Sequence, residues 1–382
     1  MMSLKSKHEL LEVVRLRYLK ANKIEKQKIL DEFTCAAGYH RKHAIRILKN
    51  QRQVQNHLKG KTKTYKTIYR GEVVQVLEQI WEICGQICSK RLQPFLPEAI
   101  KVLERCKEIT LSKDTKELLL KISSASIDRC LRPVRIKSSH GLSTTKPGTL
   151  LKQSIAVRTF TEWSEEKPGF MEIDLVAHCG ESVSGQFLNT LTCTDVCTGW
   201  TDITGLARRS KEVVCDAVGL MRQRLPFPLL GIDSDNGTEF INDLLYSYCL
   251  DEKITFTRSR PYKKNDQAHV EQKNWSVVRR TVGYDRWETQ SELTLLESIY
   301  DDLRLYINFF QPSFKLIAKK RIGNRTIKQY DVPKTPYQRV LERQDISLPS
   351  KARLTNLYIQ LNPAELRRQI DLKTAKLWKI SR

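Results

Sequence analysis

The feature that most limits how this chain can fold is a carboxylate in the middle of an apolar run. Asp174 interrupts residues 169–177 (GFMEIDLVA), a short apolar segment of the kind that forms a buried strand. An acidic side chain is costly to bury without a partner, so a positive charge is expected beside it. An ion pair with a basic side chain is one alternative; a metal ion is the partner that we favour.

Two more acidic residues extend this prediction. Asp235 follows the apolar run 229–233 and opens a turn-forming segment, and Glu271 lies in a helical pattern with thirty-five residues between them. Acids from two strand ends and one helix can converge on a pair of divalent metal ions. Such a pair activates one oxygen and stabilises the leaving oxygen in phosphodiester chemistry.

The same segments resemble, in the same order, the catalytic core shared by retroviral integrases and many bacterial insertion-sequence transposases, the DDE recombinases. The resemblance rests on the acid-bearing strand at 169–177, the box 234–240 (SDNGTEF), the helix that follows, and a closing segment at 306–316 (YINFFQPSFKL). It covers about residues 165–320, which is under half of the chain.

The resemblance implies a metal-dependent site. Asp174, Asp235 and Glu271 would be the catalytic residues and the ligands of Mg²⁺, for which Mn²⁺ can substitute because both accept hard oxygen ligands. Asp233 lies on the same strand face as Asp235 and is the alternative ligand, but the family box favours Asp235. Glu239 is interpreted as a capping residue.

The order of predicted elements indicates an α/β fold. Three strands, a helix, a strand, a helix, a strand and two helices predict a ribonuclease H-like mixed-sheet catalytic core, preceded by all-α helix-turn-helix DNA-binding domains. We predict a helix-turn-helix domain at 1–60, a second helical module at 70–136, a linker at 137–165, the catalytic core at 166–325 and a basic C-terminal region at 326–382. The fold of the last region stays open.

The first module is predicted from helical spacing in residues 8–50, with a turn at Gly38 before a basic helix. Such a helix can enter a DNA major groove, although a helical bundle with a solvated basic face is the alternative. The predicted DNA contacts of this helix are Arg41, Lys42, Arg46 and Lys49.

The second module repeats the helix-turn-helix rhythm. Arg129 and Arg132 are its predicted DNA contacts. Pro94 and Pro97 are predicted to separate two of its helices, and Pro133 to end the last one, because proline cannot continue the helical hydrogen-bond ladder.

The positive charge is concentrated outside the predicted core. Residues 1–150 hold 31 Lys and Arg against 14 Asp and Glu, and residues 331–382 hold 11 against 5. Residues 151–330 hold 24 of each, so the core is neutral within a chain of net charge +23. Basic regions that flank a neutral core indicate nucleic-acid binding.

Four basic residues near the predicted site complete the candidate DNA contacts. Lys263 and Lys264 lie in the loop before the helix of Glu271, and Lys273 and Arg279 lie on that helix. Each is a candidate phosphate contact, and a plain surface charge is the alternative.

Other classes of protein fit the sequence poorly. No apolar run reaches membrane-spanning length, and the N-terminus lacks a secretory stretch. Ten scattered cysteines are expected to be reduced thiols of a cytoplasmic, bacterial, nucleoid-associated protein. Cys35, His40 and His43 have no accompanying Cys-x-x-Cys pair, so no zinc is expected.

The resemblance therefore implies a DNA transposase, which binds the terminal repeats of a mobile element and catalyses 3′-end cleavage and strand transfer into target DNA. It implies a homo-oligomer in a synaptic complex with element ends and target DNA, and no membrane partner. Two alternatives stay open: a catalytically inactive, transposase-derived DNA-binding regulator, and a metal-dependent nuclease that cuts without joining.

Overall fold

The structure is a computed structural model that describes residues 2–49, 68–138, 167–235, 237, 239–240, 242–259, 267–322 and 325–380. The chain divides into two compact units, Met1–Ile68 and Tyr69–Arg382. Among the described residues, no helix is long and apolar enough to cross a membrane.

The first unit contains three helices: α1 (Leu4–Lys20), α2 (Lys23–Ala37) and α3 (Arg41–Lys49). Gly38 ends α2 in the left-handed conformation, at φ +65°, which a glycine adopts without steric cost. The buried guanidinium of Arg15 donates to the Ile47 carbonyl at 2.6 Å and joins α1 to α3. The predicted helix, glycine turn and basic helix are therefore present.

The second unit begins with four helices around their own apolar core: α4 (Glu72–Ile83), α5 (Ser89–Arg105), α6 (Lys113–Lys121) and α7 (Ser124–Ser138). The predicted break at Pro94 and Pro97 is wrong, because both lie inside α5. The chain instead turns at Gly85 and Gln86, which both have positive φ. Pro133 likewise lies inside α7 and does not end it.

Packing explains why α5 continues through its prolines. An interior proline costs a helix about 3 kcal/mol, and burying one large aliphatic side chain contributes about 1.5–3 kcal/mol. Helix α5 buries a whole face, so its packing offsets that cost. The fully packed side chains of this face are Leu92, Phe95, Leu96, Ala99, Ile100 and Leu103.

A five-stranded mixed sheet forms the centre of the second unit. Its strands are β1 (Phe170–Ala177), β2 (Asn189–Asp195), β3 (Thr201–Leu206), β4 (Gly231–Ser234) and β5 (Thr255–Arg258). The order is β3-β2-β1-β4-β5; β1, β2 and β3 pair antiparallel, whereas β4 lies parallel to both β1 and β5. This topology confirms the predicted ribonuclease H-like fold.

Helices surround the sheet. They are α8 (Lys211–Arg224), α9 (Asp243–Asp251), α10 (Ala268–Lys273), a π-helical turn (Asn274–Arg279), α11 (Arg280–Val282) and α12 (Gln290–Phe310). Helix α12 packs along β3, and its Tyr300 is fully buried. A π-helical turn inside an α-helix is rare and often marks a functional site.

The C-terminal region combines a hairpin with three helices: β6 (Leu316–Ile322), β7 (Arg325–Tyr330), α13 (Pro336–Glu342), α14 (Leu348–Gln360) and α15 (Pro363–Ile380). Helix α15 packs along α12. Tyr358 of α14 stacks on Tyr337 and Phe310, with ring centroids 4.8 and 5.6 Å apart. These helices therefore share the hydrophobic core of the sheet.

Candidate active site

The parallel pairing of β1 and β4 brings two of the predicted acids to the same level. Ile173 of β1 is paired with Ser234 of β4. The residue that follows Ile173 is Asp174, and the residue that follows Ser234 is Asp235. Asp174 is partly buried within its strand, and Asp235 lies just beyond the end of β4. The two carboxylates therefore occupy neighbouring positions at one edge of the sheet.

Electrostatics shows that Glu271 belongs to the same group. Burial raises the pKa of Asp174 to about 7, and the negative charges of Asp235, Glu271 and Glu239 add to that rise. Burial also raises the pKa of Asp235, although the Gly237 amide donates to its Oδ1 at 2.9 Å. The structure thus places Asp235 and Glu271 close enough to Asp174 for their charges to destabilise its carboxylate.

A buried acid that sequence reasoning missed holds the helix of Glu271. Glu172 is only 2% exposed, and its Oε2 accepts from the amides of His269 at 2.9 Å and Val270 at 3.0 Å. A carboxylate at the first turn of a helix satisfies orphan amides and complements the helix dipole. Glu172 and Asp174 are two residues apart on β1 and share a face, so one strand contacts this helix twice.

The second of these contacts comes from Asn274, in the π-helical turn. Its Nδ2 donates to Oδ2 of Asp174 at 2.7 Å. Its buried Oδ1 has no hydrogen-bond partner among the residues that the structure describes. Asn274 follows Glu271 by three residues, so both lie on one side of the helix. Asn274 therefore links the orientation of Asp174 to the helix that carries Glu271.

Glu239 is a fourth carboxylate at this edge. It is buried, and its Oε1 forms an ion pair with Nη2 of Arg209 at 2.5 Å. Its negative charge raises the pKa of both Asp174 and Asp235. Its backbone carbonyl accepts from Nδ2 of Asn242, the residue that caps α9. Asn242 rather than Glu239 therefore caps α9, so the predicted capping role of Glu239 is wrong, and its carboxylate adds negative charge to the site.

Asp233, the alternative ligand, makes contacts within the sheet. It is fully buried on β4, and its Oδ1 accepts from Oγ1 of Thr257 on β5 at 2.7 Å. Its backbone carbonyl accepts from Nε2 of Gln267 at 3.4 Å. These contacts join β4 to β5 and to the start of the helix that bears Glu271.

The donor set fits a hard divalent cation. The predicted ligands supply carboxylate oxygens, and Mg²⁺ binds through a few carboxylates together with waters and substrate phosphates. Among the described residues, no group of three or more His, Cys, Asp or Glu side chains is arranged to hold a metal ion. The raised pKa of Asp174 reflects burial first and neighbouring negative charge second, and a bound cation would favour the ionised carboxylate.

The predicted DNA contacts of the helical modules lie at the surface. Every one of the six side chains is exposed; they are Arg41, Lys42, Arg46 and Lys49 on α3, and Arg129 and Arg132 on α7. Arg41 forms an ion pair with Asp31. Nη2 of Arg129 donates to Oγ of Ser126 at 3.0 Å.

The basic residues on the helix of Glu271 are less accessible. Lys273 is partly buried, and burial together with the charges of Arg91 and Arg339 lowers its pKa to about 8. Nη2 of Arg279 donates to the Ala177 carbonyl at 2.7 Å, and its guanidinium lies over the Tyr284 ring. The other two predicted contacts, Lys263 and Lys264, lie outside the described residues.

Residues 164–264 match the family model of the integrase core domain. The match includes Asp174 and Asp235 and ends before Glu271. It therefore covers the whole five-stranded sheet but not the helix that supplies the third acid.

The chain is also similar to individual proteins. "Uncharacterized protein y4rM" of Sinorhizobium fredii (strain NBRC 101917 / NGR234) is 41% identical over 339 residues, which are 88% of this chain and 95% of that protein. The catalytic core domain of BIV integrase matches with a TM-score of 0.32 and 17% identity, over 50% of this chain and 98% of that one. The HTLV-2 integrase catalytic core domain in complex with magnesium matches with a TM-score of 0.29 and 14% identity, over 38% and 90%.

Proposed function

This chain belongs to the same protein family as y4rM and contains an integrase core domain, a polynucleotidyl transferase fold, and we propose that it is a DNA transposase. It binds the terminal repeats of a mobile element, cleaves the 3′ ends and transfers them into target DNA. The single observation that carries this proposal is the placement of Asp235 and Glu271 near Asp174, where burial and their negative charges raise the pKa of Asp174 to about 7.

The three acids would hold divalent cations, and Mg²⁺ fits this oxygen-only set, with Mn²⁺ as a substitute. Bound in this place, such ions supply Lewis-acid activation of an attacking oxygen and neutralise charge on the phosphate. The proposal does not require a covalent bond between protein and DNA.

The chain's own residues hold the ligands in position. Asn274 donates to Asp174, which fixes the orientation of one carboxylate. Glu172 caps the helix of Glu271 and so sets the distance between that helix and β1. Ligands held by such contacts need little rearrangement when a cation binds, which favours catalysis.

The remaining parts of the chain supply DNA contacts in this proposal. The helix α3 and the helix α7 carry exposed arginines and lysines, and residues 1–150 carry a net charge of +17. Phosphate contacts of this kind give sequence-independent affinity, whereas side chains in a groove give sequence recognition. The joining of two element ends requires at least two copies of the chain in one complex.

A strand-transfer assay tests the proposal. The purified full-length chain is incubated with Mg²⁺ or Mn²⁺ and DNA carrying the flanking ends of its own gene, beside an Asp235→Asn variant. Joined products from the unmodified chain alone support the transposase and the site together. Cleavage without joining favours a nuclease, and binding without cleavage in either metal favours the inactive regulator.

A further inference from the structure

The β6–β7 hairpin concentrates positive charge at the end of the core. Residues 316–330 contain five basic residues and no acidic one, whereas residues 151–314 contain 18 basic residues against 24 acidic ones. The basic residues of the hairpin are Lys319, Lys320, Arg321, Arg325 and Lys328. The predicted core is neutral overall because the acidic excess of residues 151–314 is balanced by the basic residues at 315–330.

The strand register places two like charges opposite each other. Lys319 is paired with Lys328 on the neighbouring strand. Like charges directly opposite destabilise a strand pair, and a lone two-stranded hairpin is only marginally stable in water. This arrangement costs stability unless a polyanion lies against it.

The exposed side chains of the hairpin are consistent with contact to a polyanion. Lys320 and Lys328 are exposed, and neither forms an ion pair within the part of the chain that the structure describes. Ile317 and Ile327 are 62% and 55% exposed, so the ribbon also lacks an apolar cover. The hairpin is thus a solvent-facing ribbon that forms a sheet of its own.

The foot of the hairpin, in contrast, is fixed to the body of the unit. Asp331 Oδ1 accepts from the Lys315 amide at 2.6 Å, and Asp331 Oδ2 pairs with Nη1 of Arg339 at 2.5 Å. Nη2 of Arg339 donates to the Ser313 carbonyl at 2.8 Å. A fixed foot limits the directions in which the exposed ribbon can point.

The same foot also contacts the sheet. Nζ of Lys315 donates to the carbonyl of Cys197 at 3.0 Å, in the connection between β2 and β3. The hairpin is therefore anchored at the β2–β3 end of the sheet.

We propose that the hairpin Leu316–Tyr330 is a DNA-binding arm that contacts the sugar–phosphate backbone of a duplex. The proposal rests on the proposed function, which supplies the DNA. A two-stranded ribbon is narrow enough to lie in a major groove, and ribbon readers of DNA use strands in this way. The exposed Lys320 and Lys328 provide phosphate contacts, and the other three basic residues of the hairpin add positive charge.

The test compares two triple variants that lose the same charge. One carries Lys319→Gln, Lys320→Gln and Lys328→Gln. The control changes three exposed lysines elsewhere in the core, Lys167→Gln, Lys211→Gln and Lys253→Gln. Binding of each full-length protein to a short duplex of unrelated sequence is measured in EDTA at several salt concentrations.

Each phosphate contact contributes about 0.9 to the slope of log affinity against log salt. We expect the arm variant to lose about two to three from that slope and to bind roughly tenfold or more weakly at low salt. The control should keep the slope of the unmodified chain. Equal slopes for the two variants would contradict the DNA-binding arm. The lysines of the hairpin would then serve to prevent pairing with other strands, as lysines on exposed edge strands do.

The strand-transfer assay separates this proposal from the proposed function. If the two variants bind alike while the unmodified chain joins strands, the arm is wrong and the transposase stands. If the arm variant alone loses slope while the unmodified chain joins nothing in Mg²⁺ or Mn²⁺, the arm stands and the transposase is wrong.

Discussion

Two acidic side chains of the same sheet, Asp202 and Asp174, have opposite electrostatic surroundings. On β3, the buried Asp202 has cations of the chain around it: Arg224 donates to both of its oxygens, at 2.6 and 3.2 Å, and Arg304 lies 3.7 Å away. On β1, the charged groups that act on Asp174 are other carboxylates, including Asp235.

The difference separates an acid that is paired within the chain from an acid that we propose to be a metal ligand. A buried charge is stable only when it is paired, and Asp202 is paired within the chain. Among the described residues, Glu239 of this group pairs with Arg209, and burial together with the charges of Asp235, Glu271 and Glu239 raises the pKa of Asp174. In the proposed function, a divalent cation supplies positive charge to this region.

The largest expected effect comes from removing a proposed ligand of the divalent cation. Asp174→Asn should reduce strand transfer by roughly a thousandfold or more, as is common when a group that acts within a catalytic unit is lost. Binding to the element ends should persist, since the contacts proposed for them lie elsewhere. Joined products and end binding are measured on the same preparation.

The matched control for this variant is Asp216→Asn, which removes the same charge from an exposed position on α8. It should join strands at the rate of the unmodified chain. Equal loss in both variants would show that overall charge, rather than a metal site, governs the reaction.

The next effect tests the acid that is paired within the chain. Arg224→Met leaves Asp202 with only the more distant Arg304, and the loss of a buried partner typically costs 3–5 kcal/mol. Arg224 is about a third exposed, so we expect about 2 kcal/mol less stability in chemical unfolding. Adding Asp202→Asn to this variant should restore part of the loss, and an additive double variant would contradict the pairing.

A smaller effect distinguishes the two acids by pH. The pKa of Asp174 is about 7 in the folded chain against an ordinary 3.8, so the folded state binds more protons between these values. Stability in EDTA should therefore fall as pH rises through this window, and Asp174→Asn should remove that loss. We expect the variant to be about 1–2 kcal/mol more stable than the unmodified chain at pH 8, and the gap to shrink at pH 5.

Divalent ions provide the counterpart to that measurement. Mn²⁺ should raise the unfolding temperature of the unmodified chain at pH 8 more than that of Asp174→Asn, because a ligand that binds only the folded state stabilises it. An identical rise in both proteins would mean that the ion binds elsewhere.

Sequence patterns predicted the parts of this molecule that depend on short stretches of chain. The strand around Asp174 follows from an apolar run, and the left-handed turn at Gly38 follows from glycine between two helices. Asp174, Asp235 and Glu271 were named from local context and spacing, and the structure brings them together. Local rules succeed where neighbouring residues decide the conformation.

The sequence did not predict what tertiary packing decides. Pro94 and Pro97 stay inside a helix because a buried face outweighs their cost, which depends on partners far along the chain. The fold of the C-terminal region was left open, and it depends on the packing of α15 along α12. Glu172 escaped notice because its partners, the amides of His269 and Val270, lie 97 and 98 residues away.

Glu172 provides the smallest and sharpest test of the comparison, since it is a buried acid whose partner is a helix rather than a cation. Glu172→Gln keeps one oxygen to accept from the amides and loses the charge that complements the helix dipole, an effect of about 0.3–2 kcal/mol. We expect strand transfer to slow by about tenfold, because 1.4 kcal/mol corresponds to that factor. The Mn²⁺ concentration that gives half-maximal strand transfer should rise as well, because the helix of Glu271 is then held less firmly. Stability could instead fall while the rate per folded molecule and the Mn²⁺ dependence stay unchanged. In that case Glu172 stabilises the fold without positioning Glu271 for the reaction.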